Sequence, residues 1–147
     1  MGKAILFDLD GTLTDSGEGI INCVSLTLEH YGIALPPRED MRVFVGPPLH
    51  KTFLEFGIPE SELDNAITYY RKCYNIDGKY QNYPYPGMIA LLQRLKGEGH
   101  KLYVATSKPE WISIDILNKF KISVDLAEFI IMAVNNFAFL CLHSQIY

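Results

Sequence analysis

Cysteine is scarce in this sequence and has no pattern. Cys23, Cys73 and Cys141 are far apart and odd in number, which excludes a metal-binding Cys cluster and gives no disulfide framework. The expectation is reduced thiols in a cytoplasmic protein. Positive charge is thin as well. The 13 Lys and Arg stand against 17 Asp and Glu, for a net charge of -4. No block of basic residues tracks a phosphate backbone, so a nucleic-acid partner is not expected. Long apolar runs are missing. The most apolar stretch, residues 126–142, contains Glu128, Asn135 and Asn136 and falls short of the roughly 20 clean residues a spanning helix needs. Met1-Gly2-Lys3 leads into only a short apolar stretch followed by acids, unlike the apolar region of a secretory leader. Leu6 stands where a myristoylation motif needs Ser or Thr. No membrane contact is expected, and neither an internal repeat nor a low-complexity segment is present.

What is present fits one modest domain, or a small core with an insertion. Residues 4–7 form a short apolar run closed by a Gly turn, which predicts a strand buried on both faces. From residue 17 to 31, Ile20, Ile21, Val24, Leu28 and Tyr31 recur at helical spacing, with Asp15 or Ser16 as cap and Gly32 as stop. Short helical pieces follow, separated by Gly46-Pro47-Pro48. Residues 60–74 read as another helix with Leu63, Ile67, Tyr70 and Tyr74 on one face, and the tyrosines are expected to pack rather than to recognise a ligand. Asn82-Tyr83-Pro84-Tyr85-Pro86-Gly87 is an extended linker. A helix over 88–96, a strand over 101–105, a helix over 110–120 and a third buried strand over 128–134 complete the pattern. Strands alternating with helices predict a parallel α/β sheet, interrupted after its first strand by a mostly helical block.

Asp8-Leu9-Asp10-Gly11-Thr12-Leu13 is the most informative string. Two carboxylates one residue apart leave the end of a buried strand, where open α/β sheets bind ligands. Residues two apart on extended chain point the same way, so both can address one ligand. Two close carboxylates repel each other, and an oxygen-seeking divalent cation such as Mg²⁺ relieves that conflict while drawing in phosphate oxygens. One carboxylate can then attack phosphorus while the other manages the proton.

The string Phe7-Asp8-Leu9-Asp10-Gly11-Thr12-Leu13 resembles the first motif of haloacid-dehalogenase-like phosphatases. The resemblance implies that Asp8 is the nucleophile and a Mg²⁺ ligand. It makes Asp10 the general acid/base, which also serves the metal, through its backbone carbonyl. Lys101-Leu102-Tyr103-Val104-Ala105-Thr106 is similar to the second motif, and Thr106-Ser107-Lys108-Pro109 to the Thr-Asn-Lys-Pro of phosphoglycolate-phosphatase-like members. Thr106, Ser107 and Lys108 are thereby candidate phosphate-binding residues. Residues 15–85 are similar to the helical cap of that subfamily, with Val45-Gly46-Pro47-Pro48-Leu49 and Tyr70-Arg71 as local matches. Arg71 is a candidate substrate contact on the cap. The implied fold is α/β, an incomplete Rossmann-like parallel sheet core (residues 1–14 and 86–147) carrying an inserted α-helical cap.

The match covers roughly residues 3–122. The family then supplies a Lys and an acidic pair. This sequence has no Lys or Arg after Lys121, and only Asp125 and Glu128 as acids there. The third and fourth motifs are therefore missing on this reading, and the chain reads as truncated at its C-terminus. Lys108 is a candidate for part of the lost charge. The first strand is then expected to become an exposed edge that self-associates, unless residues 137–142 fold back over it. The implied activity is Mg²⁺-dependent hydrolysis of a small phosphorylated metabolite, a phosphoglycolate-like or nucleotide-like phosphomonoester, through an aspartyl-phosphate. The alternatives are a phosphoryl-transferring mutase, or a non-catalytic remnant that binds phosphate or a partner.

Overall fold

The computed structural model describes residues 2–120 and 122, together with the backbone of residues 128–131. Along it run β1 (Ala4–Phe7), β2 (Thr14–Asp15), α1 (Gly17–His30), a 3-10 turn (Asp40–Phe44), α2 (Leu49–Glu55) and a second 3-10 turn (Glu60–Glu62). Then come α3 (Leu63–Ile76), a third 3-10 turn (Gly78–Tyr80), β3 (Tyr83–Pro84), α4 (Met88–Gly97), β4 (Lys101–Thr106), α5 (Glu110–Lys119) and β5 (Glu128–Ile131). The strand expected over 128–134 is described as far as Ile131. Its remainder and the tail expected to cover β1 lie outside the described residues. No helix among the described residues is long and apolar enough to cross a membrane.

The chain divides into two units: Met1–Thr14 joined with the segment from Pro84 onward, and Asp15–Tyr83. The two-residue strands β2 and β3 pair with each other where the chain passes from one unit to the other.

In the first unit, β1, β4 and β5 form a parallel sheet in the order β1-β4-β5. Ala4 to Phe7 pair in step with Lys101 to Val104, and Tyr103 to Thr106 with Glu128 to Ile131. β4 lies between two strands, and Leu102, Tyr103, Val104 and Thr106 are all buried. Burial on both sides of the pleat is what a parallel sheet covered by crossover helices demands. α5 contributes Ile112, Ile116 and Leu117 to the core, one stripe at helical spacing. Each such side chain contributes about 1.5–3 kcal/mol on leaving water.

β1 departs from expectation. A strand buried on both faces was predicted, but its side chains are exposed or half-buried, and Leu6 is 52% exposed. The reason is position. Among the described residues β1 pairs with β4 alone, so it is an edge of the sheet.

The second unit is helical. Ser16 is the N-cap of α1 and makes no side-chain cap bond; the preceding Asp15 instead accepts the Gly17 N–H on Oδ1 at 2.9 Å, satisfying one of the free donors of the first turn. The buried face of α3 is Leu63, Ala66, Tyr70 and Tyr74. Phe44, Phe53 and Phe56 pack in an aromatic cluster that Tyr70 joins edge-on to Phe53, and Tyr74 stacks on Tyr70. These two tyrosines are packing residues, as their spacing predicts.

Cys23 on α1 and Cys73 on α3 form a disulfide, with Cα atoms 5.7 Å apart. This corrects the expectation of reduced, unpaired thiols. The partners are separated by 50 residues, so no spacing rule finds them. The helix pairing that brings them together is a tertiary fact. Beside the bridge, α1 approaches the 3-10 turn of Gly78 so closely that a Cβ on Gly19 would collide with the Gly78 carbonyl. Glycine at position 19 allows that approach.

Candidate active site

β1 and β4 run parallel and in register, with Phe7 beside Val104. Asp8 therefore leaves β1 one residue past that pair, and Thr106 ends β4 two residues past it. Both motifs emerge at the carboxyl end of the sheet, where ligands bind in such folds.

The loop after β1 is tight because one carbonyl gathers it. Leu9 O accepts the N–H groups of Leu13 at 3.1 Å and Thr14 at 3.0 Å, and the Thr14 hydroxyl at 3.4 Å. Gly11 takes a positive φ of 81°, and its N–H donates to Thr14 O at 2.8 Å. Leu9 and Leu13 are fully buried and anchor the loop in the core. The alternation leaves Asp8 exposed and Asp10 half-buried on either side of Leu9. Thr14 was passed over in reading the sequence. Its place immediately after the first motif, two residues beyond Thr12, is the signal that could have drawn attention to it.

The carboxylates are differently engaged. Asp8 Oδ1 accepts the Leu9 N–H at 2.8 Å, which orients the group. Asp10 Oδ2 lies 3.2 Å from Lys108 Nζ, with the two side chains only 18% and 10% exposed. Asp10 Oδ1 is buried without a hydrogen-bond partner among the described residues. Thr106 is buried, and its Oγ1 accepts the Lys108 N–H at 3.2 Å. That contact leaves the hydroxyl hydrogen available for donation. Ser107 is exposed in the same loop. Asp10, Thr106 and Lys108 are thus joined by direct contacts, and Asp8 stands two residues from Asp10. Arg71 is exposed on α3 in the other unit.

Residues 5–137 match the family model described as haloacid dehalogenase-like hydrolase. The chain belongs to this family. The match runs beyond residue 122, where the resemblance was expected to end. A 5'-nucleotidase of Pseudomonas aeruginosa is 43% identical over 117 residues, covering 79% of this chain and 53% of that protein. The tyrosine-protein kinase PtkA of Mycobacterium tuberculosis is 41% identical over 120 residues, covering 82% of this chain and 41% of that one. The crystal structure of a predicted phosphatase from Clostridium acetobutylicum superposes with a TM-score of 0.79 at 40% identity, covering 88% of this chain and 60% of that one. The chain therefore spans about half the length of the curated relatives it matches.

The donor set of this haloacid dehalogenase-like chain suits a hard cation. Carboxylate and backbone oxygens favour Mg²⁺ over softer metals. Among the described residues no group of three or more His, Cys, Asp and Glu side chains gathers. Mg²⁺ is commonly held by one or two carboxylates and keeps water and substrate oxygens as its other ligands. The orphaned Asp10 Oδ1 is a further buried acceptor open to a cation or a proton.

Proposed function

We propose that this chain hydrolyses small phosphomonoesters through an aspartyl-phosphate on Asp8. The observation that carries the reading is the 3.2 Å contact between Asp10 and Lys108, which joins the first-strand carboxylates to the loop holding Thr106. An Asp8 oxygen attacks phosphorus, and the bond from phosphorus to the leaving oxygen breaks. Asp10 gives its proton to that oxygen, so an alcohol departs. Asp10 then takes a proton from water as the water oxygen attacks phosphorus, and Asp8 is released with inorganic phosphate. The Thr106 hydroxyl donates to a phosphate oxygen throughout, and Ser107 lines the same loop. Mg²⁺, held by the Asp8 carboxylate and the Asp10 carbonyl, would offset the phosphate charge facing two carboxylates.

A nucleoside monophosphate is the favoured substrate class, supported by the name of the 43% identical relative. The helical unit would act as the substrate-selecting cap, with Arg71 as an anion contact. Transfer to a hydroxyl acceptor instead of water is the second reading. It draws support from the relative named as a tyrosine-protein kinase, and formation of a phosphorylated acceptor without free phosphate would favour it. The Cys23–Cys73 bridge stands against a cytoplasmic location, because reducing cytosols keep thiols reduced.

The test is phosphate release by the purified chain with and without Mg²⁺, for wild type and Asp8→Asn. Mg²⁺-dependent release that the substitution abolishes is expected. Folded wild-type protein without turnover would leave the non-catalytic reading in its place.

A further inference from the structure

The two oxygens of Asp10 are in opposite situations. Oδ2 sits 3.2 Å from the Lys108 ammonium, while Oδ1 is buried and has no hydrogen-bond partner among the described residues. Lys108 is itself held at both ends. Its N–H donates to Thr106 Oγ1 at 3.2 Å, and its ammonium lies on Asp10 with the side chain 10% exposed. A lysine on a pocket rim would keep its head in water. This one does not.

From this geometry we infer that Lys108 is the positioning residue of the general acid/base. It anchors Oδ2 of Asp10 and leaves Oδ1 as the oxygen that exchanges the proton. The inference rests on the phosphatase reading and changes the part Lys108 plays in it, from a phosphate ligand to a residue acting through Asp10. In the first half-reaction the proton passes from Oδ1 to the leaving oxygen as the phosphorus–oxygen bond breaks. The resulting carboxylate is the state that the ammonium pairs with best. In the second half-reaction Oδ1 takes a proton from the attacking water, which returns Asp10 to its starting form. A carboxylate free to rotate would present either oxygen, and misorientation of a catalytic group by an ångström costs large factors in rate.

Leaving-group chemistry separates this role from phosphate binding. A nitrophenyl phosphate expels a stable phenolate and needs no proton, whereas an alkyl phosphate needs one. Lys108→Met is expected to lower kcat on the alkyl phosphate by about 10²-fold and on the nitrophenyl phosphate by less than about threefold, with KM nearly unchanged on both. Lys108→Arg should recover most of the lost rate. In an Asp10→Asn background, Lys108→Met should cost no further rate on the alkyl phosphate. A second readout needs no turnover and no metal. Lys108→Met should lower the melting temperature of the chain by leaving a half-buried carboxylate unpaired, and adding Asp10→Asn should restore it.

Equal loss on both substrates with a raised KM would overturn the assignment, since the ammonium would then be serving the phosphate. A melting temperature lowered equally in both backgrounds would overturn it as well. Wild-type chain that releases phosphate from neither substrate sinks the phosphatase reading, and this assignment with it. Wild-type turnover with uniform loss sinks only the role of Lys108.

Discussion

Reducing the Cys23–Cys73 bridge should weaken the helical unit about as much as truncating one of its buried phenylalanines. The bridge closes a chain segment of 50 residues. Unfolded, an open chain of that length explores far more conformations than a closed one, and the loop-closure relation puts the difference at about 4 kcal/mol at 25 °C. Losing a packed pair of thiols without any bond would cost only about 1 kcal/mol, the ordinary effect of a point substitution. The two magnitudes are far enough apart for the measurement to decide. The assay is urea unfolding followed by circular dichroism, with and without a dithiol reductant, for wild type and Cys73→Ala. With a slope of about 1–1.5 kcal/mol per molar urea for a unit this small, the wild-type midpoint should fall by roughly 3 M on reduction. Cys73→Ala should start near the reduced value and ignore the reductant. A thiol titration in denaturant gives an independent count. Of the three cysteines in the sequence, only one should react before reduction. Three reactive thiols, or a wild-type midpoint that the reductant leaves in place, would refute the reasoning.

Three other outcomes are expected. Gly19→Ala gains about 1 kcal/mol of helix propensity but drives a methyl group into the Gly78 carbonyl; overpacking of about 1–3 kcal/mol should outweigh the gain, and a lower thermal midpoint checks it. Thr106→Val keeps the strand-favouring shape and removes the hydroxyl that accepts the Lys108 N–H; kcat/KM should fall on the order of 10²-fold, with Thr106→Ser retaining most of the rate. Among the described residues β1 is an edge strand and Leu6 is 52% exposed, which should make the chain self-associate, so that gel-filtration elution shifts with concentration and Leu6→Lys suppresses the shift; elution independent of concentration in wild type would remove the argument.

The order of elements was legible because each carries its own local signal. β4 reads as a strand from its continuous apolar run, α1 from the spacing of Ile20, Ile21, Val24 and Leu28, and the end of α1 from Gly32. What was not legible is what depends on neighbours. Residues 4–7 have the same apolar run as β4, so composition predicts the same burial. Whether a strand is central or at an edge is decided by which other strands lie beside it, and β1 has β4 on one side only among the described residues. The disulfide is hidden for the same reason. Cys23 and Cys73 are ordinary helix positions until α1 and α3 pack together.

The site follows the same division. Asp8 and Asp10 were legible together because two residues of extended chain fix their relation, and Thr106 because it ends a strand. The meeting of the two loops was not, because it depends on the register of β1 against β4. That register carries Lys108 to Asp10 across 98 residues of sequence. From sequence alone, a lysine two residues after Thr106 is most simply read as a phosphate ligand, since both follow the same strand. In the structure its ammonium lies 3.2 Å from the Asp10 carboxylate. A cation that holds the acid/base rather than the substrate predicts a rate that depends on how much the leaving group needs a proton, and no pattern of residues along the chain carries that prediction.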